Sequence, residues 1–141
     1  MRRVPEHWRN FGPRQSPLVR AIMKDVLEIS PASKEEGLQE LASRGFFLID
    51  ATYTPINHFK GKERNAIILR DFPLLIGALR EYARPKTGIV LVKANVCELL
   101  DARLIEAGFN VLNRGTVIPF PSTGHQPRFA EAVKKVLGTC L

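Results

Sequence analysis

The sequence predicts an α/β fold, a three-layer α/β/α sandwich with a short, mostly parallel central sheet. Two observations predict it. Short apolar runs alternate along the chain with longer stretches of helical periodicity, and the clearest runs, "FFLID" at 46–50 and "GIVLVKA" at 88–94, are apolar on both faces. Strands buried on two faces belong to parallel sheets covered by helices. A chain of 141 residues suits one domain, 1–141, with a real core. Residues 1–15 read as a basic, flexible arm.

The elements follow in order. Ser16 and Pro17 make a helix start, with serine as N-cap and proline at the first helical position. Leu18, Ile22, Val26 and Ile29 recur at helical spacing, and the helix should stop before Pro31. "SKEE", Ser33 to Glu36, is a capping box that opens a short helix through Leu38 and Leu41, ending near Gly45. The run 46–50 reads as a buried strand. A loop broken by Pro55 and Gly61 leads to helical periodicity from Glu63 to Ala83, which Pro73 should divide in two. The second buried strand, 88–94, precedes a capping pair, Asn95 with Glu98. The helix behind it carries Val96, Leu99, Leu100 and Leu104 and ends at Gly108. "FNVLN" at 109–113 reads as a short strand and "GTVIPF" at 115–120 as an extended run. A last helix starts near Pro127 and carries Phe129, Val133, Val136 and Leu137 to Gly138.

Composition excludes several classes. No apolar run approaches the roughly 20 residues of a membrane helix, and the N-terminal basic residues lead into no apolar stretch of a secretory signal. Cys97 and Cys140 are far apart and lack metal or redox spacing; two reduced thiols in a cytoplasmic protein are the expectation. His7, His58 and His125 form no ligand pair on a helix, so no metal site is expected. No Walker-type loop, GxGxxG or GxSxG motif occurs, and no cofactor is expected. The net charge is +7 with a pI near 9.9, a field suited to phosphate-bearing partners. Much of the excess sits early, where Arg2, Arg3, Arg9, Arg14 and Arg20 oppose only Glu6.

In open α/β sheets, ligands sit beyond the carboxyl ends of the strands. Asp50, the stretch Lys93–Asn95 and the loop Pro119–Gln126 should therefore share one edge. Ser122, Thr123 and the amides ahead of the last helix are placed to hold a phosphate. Gly124 permits a tight turn, His125 adds a proton or a hydrogen bond, and Arg128 adds charge. A turn rich in caps and prolines for structural reasons alone is the competing reading. Asp50 is an acceptor at a strand end or a plain loop cap. Tyr53 is a stacking surface or a core residue. Asn57 and His58 are polar loop residues, His58 reading best as a surface histidine. A hydrolase triad of Ser122, His125 and Asp50 is disfavoured, because Ser122 and His125 lie too close in sequence.

Two of these motifs carry a resemblance. "GFFLIDATYTPI", Gly45 to Ile56, resembles the strand and loop "GVLLLNTVLTV" of uracil-DNA glycosylases. "VIPFPSTGHQPRF", Val117 to Phe129, resembles their "HPSP" loop, and "GIVLVKANV" stands where that family has its central strand. Order and spacing agree from Gly45 to Leu137. The resemblance implies an enzyme that flips a base out of the duplex, stacks it on an aromatic side chain, reads its edge at a strand end and pinches DNA phosphates with a serine-proline turn.

Residue by residue, Asp50 falls at the family's base-reading asparagine; an ionised aspartate only accepts hydrogen bonds. Pro121 and Ser122 match the proline and serine, while Phe120 stands at the histidine that steadies the departing base. His125, further on, is the residue assigned to that role here. Tyr53, Asn57, Thr123, Gly124 and Arg128 complete the implied substrate contacts. Nothing before Gly45 reads as the strand bearing the family's first motif: either the chain lacks it or the sequence starts downstream of it.

The resemblance implies a glycosylase-like protein that binds DNA or a nucleotide at its strand ends, and leaves glycosidic-bond cleavage open. The alternative is a non-catalytic α/β interaction or assembly module, with an open sheet edge that a second copy would pair into a homodimer. An enzyme acting on a free nucleotide is a third reading. None of the three implies a membrane partner.

Overall fold

The structure, a computed structural model, describes residues 17–54, 56 and 58–138. The expected N-terminal arm, the Ser16 cap, Asn57 and Cys140 lie outside the described residues. Backbone contacts divide the chain into two compact units, one of Met1–Leu48 with Ile118–Leu141 and one of Ile49–Val117.

The first unit opens with α1, Pro17–Ala21, which runs into a π-helical turn at Ile22–Val26. The helix expected to reach Ile29 thus ends at Val26. Its last turn widens: the Leu27 N–H donates to the Ile22 carbonyl at 2.8 Å and the Ile29 N–H to the Met23 carbonyl at 2.9 Å. The chain then reverses at Glu28, whose φ is 55°. Helix α2, Lys34–Ser43, has the capping box that "SKEE" predicts: Ser33 Oγ accepts from the Glu36 N–H at 3.1 Å. The Glu36 carboxylate reaches back to the Ala32 N–H, also at 3.1 Å. Leu38 and Leu41 are fully buried, and Gly37 faces the Met23 side chain closely enough that a Cβ would lie 3.0 Å from its methyl carbon. Helix α6, Gln126–Gly138, packs Phe129 and Val133 inward against α1 and the π turn.

The second unit holds α3 (Gly61–Arg70), α4 (Phe72–Tyr82), β1 (Gly88–Ile89), α5 (Ala94–Glu106) and β2 (Asn110–Val111). Helices α3 and α4 part at Asp71, with Pro73 in the first turn of α4, where its missing N–H costs nothing. Strands β1 and β2 pair in parallel, Gly88 opposite Asn110 and Ile89 opposite Val111, with α5 as the crossover. The core gathers Ile68, Leu75, Leu79, Leu91, Leu100 and Leu104 with Cys97 and Val111. Helices α2 and α5 both end in the Schellman pattern that glycine permits. Gly45 has φ 87° and Gly108 has φ 95°; Phe46 donates to Leu41 at 2.9 Å and Phe109 to Leu104 at 3.0 Å.

The fold is therefore mixed helix and strand with a parallel pair, and among the described residues the sheet has two short strands. The run 46–50 forms no strand ladder; Phe47 and Asp50 are exposed and Leu48 and Ile49 only half-buried, so it is not a strand covered on two faces. Residues 115–120 also lack a ladder. The strand expected at 88–94 stops at Ile89 because Asn113 takes over the pairing. Its side-chain oxygen accepts from the Leu91 N–H at 2.9 Å, and its amide donates to the Leu91 carbonyl at 2.8 Å and the Thr116 carbonyl at 3.0 Å. The capping pair expected of Asn95 and Glu98 is absent. Helix α5 opens at Ala94 with Lys93 as N-cap and no side-chain cap, and Asn95 Nδ2 instead donates to Asn65 Oδ1 on α3 at 3.2 Å.

Candidate functional site

In the second unit, Asp50, Tyr53, Arg70, Asp71 and Leu74 line a cleft of about 370 Å³ together with Thr52 and Thr54. Its floor is a hydrogen-bonded knot. The Thr52 and Thr54 hydroxyls both donate to Asp71 Oδ2, at 2.6 and 2.7 Å. Arg70 Nε donates to Asp71 Oδ1 at 2.9 Å, and its Nη2 donates to Thr54 Oγ1 at 3.0 Å. Thr52 and Thr54 lie two residues apart in a bent loop segment that brings both hydroxyls to the same carboxylate oxygen. Asp71 follows because it is the junction between α3 and α4. Its side chain is 11% exposed, that of Arg70 61%. The Arg70 hydrogen bond, then those of Thr52 and Thr54, hold the Asp71 carboxyl well below the usual carboxylate range. The same pair raises the Arg70 guanidinium. Asp71 is thus an anion at neutral pH, paired with Arg70.

Above this floor Tyr53 and Leu74 are open to solvent, at 59% and 71% exposure. Partial burial, then the charge of Asp50 and the proximity of Tyr82, push the Tyr53 phenol up. The cleft therefore offers an aromatic surface, an apolar rim and the charge of Asp50. Sequence reasoning identified Asp50 and Tyr53 and missed Thr52, Thr54, Arg70 and Asp71. The available signals were the Thr-x-Thr spacing and the charged pair ahead of Phe72-Pro73.

The turn 119–128 belongs to the first unit. Pro121 is fully buried, and Pro119 and Phe120 are half-buried. Ser122, Thr123, Gly124, His125 and Arg128 are exposed. The turn satisfies much of its own backbone: the Ser122 N–H donates to the Phe120 carbonyl and the His125 N–H to the Ser122 carbonyl, both at 2.8 Å. Gly124, at φ 86°, donates to Gln126 Oε1 at 3.1 Å. The Ser122, Gly124 and His125 amides already have partners; the hydroxyls of Ser122 and Thr123 and the Arg128 side chain, in the first turn of α6, belong to exposed residues. A second, open groove of about 320 Å³ in this unit is lined by Lys24, Asp25, Glu28, Gln126, Pro127 and Ala130; its charges are mixed.

His58 is exposed. Cys97 is a buried free thiol that donates to the Leu91 carbonyl at 3.3 Å. Among the described residues no group of three or more His, Cys, Asp or Glu side chains is placed to hold a metal ion, and no helix is long and apolar enough to cross a membrane. No protein-family model, no curated protein and no solved structure matches the chain.

Proposed function

We propose that the protein binds DNA or a nucleotide in the manner of a uracil-DNA-glycosylase-like protein, holding a base in the Asp50–Tyr53 cleft. The observation that carries this reading is that an exposed tyrosine and an aspartate line one cleft of about 370 Å³, within the roughly 300–1,000 Å³ of small-molecule sites. Stacking on an exposed aromatic ring is worth about 1–3 kcal/mol per base. In the first unit, Ser122, Thr123 and Arg128 are proposed separately as phosphate contacts, supported by a net charge of +7. On this reading β1 and β2 are part of the central sheet of a three-layer sandwich. Base recognition is the proposed activity; cleavage would further need a positioned water and a donor to the departing base.

One assay with two readouts tests this. Single- and double-stranded oligonucleotides carrying one uracil are titrated at low and moderate salt, scoring binding and abasic-site formation together. Salt-sensitive binding that Tyr53→Ala weakens is the expected result. Abasic sites formed faster than by an Asp50→Ala, Ser122→Ala double variant would add catalysis to binding. No binding at any salt, with a mass that rises with concentration, would replace this reading with an assembly module that pairs copies at a sheet edge.

A further inference from the structure

A second exposed ring near the cleft bears on which form of nucleic acid the protein takes, an inference that rests on the nucleic-acid reading above. Tyr82 ends α4 and is 42% exposed. It follows Leu75, which lines the cleft, by seven residues. Seven residues are two helical turns, so Leu75 and Tyr82 fall on one stripe of α4, about 10 Å apart along its axis. Behind partial burial and the charge of Asp50, the proximity of Tyr82 is the third cause that pushes the Tyr53 phenol up, so the two tyrosines are neighbours. With Leu74 exposed at the rim, an aromatic and apolar strip runs from the cleft to the end of α4.

Beyond Tyr82 the chain turns at once. The Thr87 N–H donates to the Arg84 carbonyl at 3.0 Å, and the Arg84 N–H donates to the Thr87 hydroxyl oxygen at 2.8 Å. This fixed turn carries Arg84 and Lys86, both exposed. Among the described residues neither has an ion-pair partner. From Arg80 to Thr87 the single acid, Glu81, stands against Arg80, Arg84 and Lys86. The strip and the turn that continues it thus supply what an unpaired strand needs: rings on which bases stack and cations that follow the phosphates. A duplex hides the faces of its bases in its own stack and leaves two exposed rings nothing to stack on. An apolar protein partner would use the tyrosines and Leu74 but has no use for the basic turn. We propose that this surface binds single-stranded nucleic acid of two or more nucleotides, with one base on Tyr53, a neighbouring base on Tyr82 and the phosphates beyond Tyr82 on Arg84 and Lys86.

The test measures binding of oligodeoxyuridylates of one, two, three and six nucleotides, and of the longest one paired with its complement. In the unaltered protein, affinity should rise roughly tenfold once the second base is present, and the duplex should bind more weakly than the single strand. Tyr82→Ala should abolish the gain with length, and Tyr82→Phe, which keeps the ring, should retain it. Arg84→Ala and Lys86→Ala should each lower the slope of log affinity against log salt by about 0.7 on the six-nucleotide strand. A single nucleotide that binds as tightly as the longer strands, a duplex that binds as tightly as the single strand, or a gain with length that survives Tyr82→Ala overturns the inference while the nucleic-acid reading stands. Failure of every oligonucleotide to bind overturns both.

Discussion

The side chain of Asn113 pairs with both backbone groups of Leu91, accepting from its N–H at 2.9 Å and donating to its carbonyl at 2.8 Å. A side-chain amide does there what a neighbouring strand would otherwise do. Asn113 is 3% exposed, so water cannot replace it. Asn113→Ala would leave the Leu91 N–H without its partner, while the Leu91 carbonyl keeps the Cys97 thiol and Thr116 is exposed to water. A buried orphan costs about 1–3 kcal/mol, and that is the expected loss, read from urea denaturation midpoints. Asn113→Asp should also destabilise, because a carboxylate keeps the Leu91 N–H bond but faces two carbonyl oxygens.

This pairing also marks how far the sequence could be read. The helices were legible because their signals are local. Ser33 and Glu36 cap α2, Gly45 and Gly108 end α2 and α5, and Pro73 separates α3 from α4, each through contacts a few residues apart. The strands were legible only as apolar runs. Such a run at 46–50 looks the same whether a ladder partner is present or not, and the run at 88–94 gives no hint that Asn113 will cut its ladder short. The cleft divides in the same way. Asp50 and Tyr53 stand out as polar and aromatic residues behind an apolar run. The bonds from Thr52 and Thr54 to Asp71 cross from a loop to a helix junction, and no local pattern announces that pairing.

Lys93 stores strain. It is the N-cap of α5 and has φ 89°, a region that side-chain-bearing residues rarely adopt. Such positions cost about 1–3 kcal/mol. Glycine takes the same angles without the clash, although it has more freedom to lose on folding. Lys93→Gly should therefore stabilise the protein by about 1 kcal/mol, seen as a higher denaturation midpoint with an unchanged slope. Lys93→Val should lower it, since a branched side chain fits that backbone worse.

Asp71 should make stability depend on acid. Its native pKa is held below the ordinary range, while in the unfolded chain it returns to about 3.9. Between those values the unfolded chain binds more protons, so stability rises with pH. The contribution is complete above the unfolded-state value and is lost as pH falls below it towards the native one. Denaturation midpoints should fall steeply from about pH 5 downward. Asp71→Asn should lower the midpoint at neutral pH and flatten the fall. An equally steep fall in the variant would assign the acid sensitivity to other carboxylates.

The two proposed contacts should separate by their response to salt. Arg128 carries charge in the first turn of α6, where the helix dipole favours an anion rather than a cation, so a bound phosphate would relieve it. Each neutralised phosphate adds about 0.9 to the slope of log affinity against log salt on duplex DNA. Arg128→Ala should reduce that slope by about one and weaken all sequences alike. On the proposed reading Tyr53 contributes through its ring. Tyr53→Ala should weaken binding of a single-stranded oligonucleotide by roughly tenfold or more, from the loss of about 1–3 kcal/mol of stacking, with the salt slope unchanged. Tyr53→Phe keeps the ring and should keep most of the affinity. A Tyr53→Ala variant that instead flattens the slope would mean that this cleft holds the backbone and not the base.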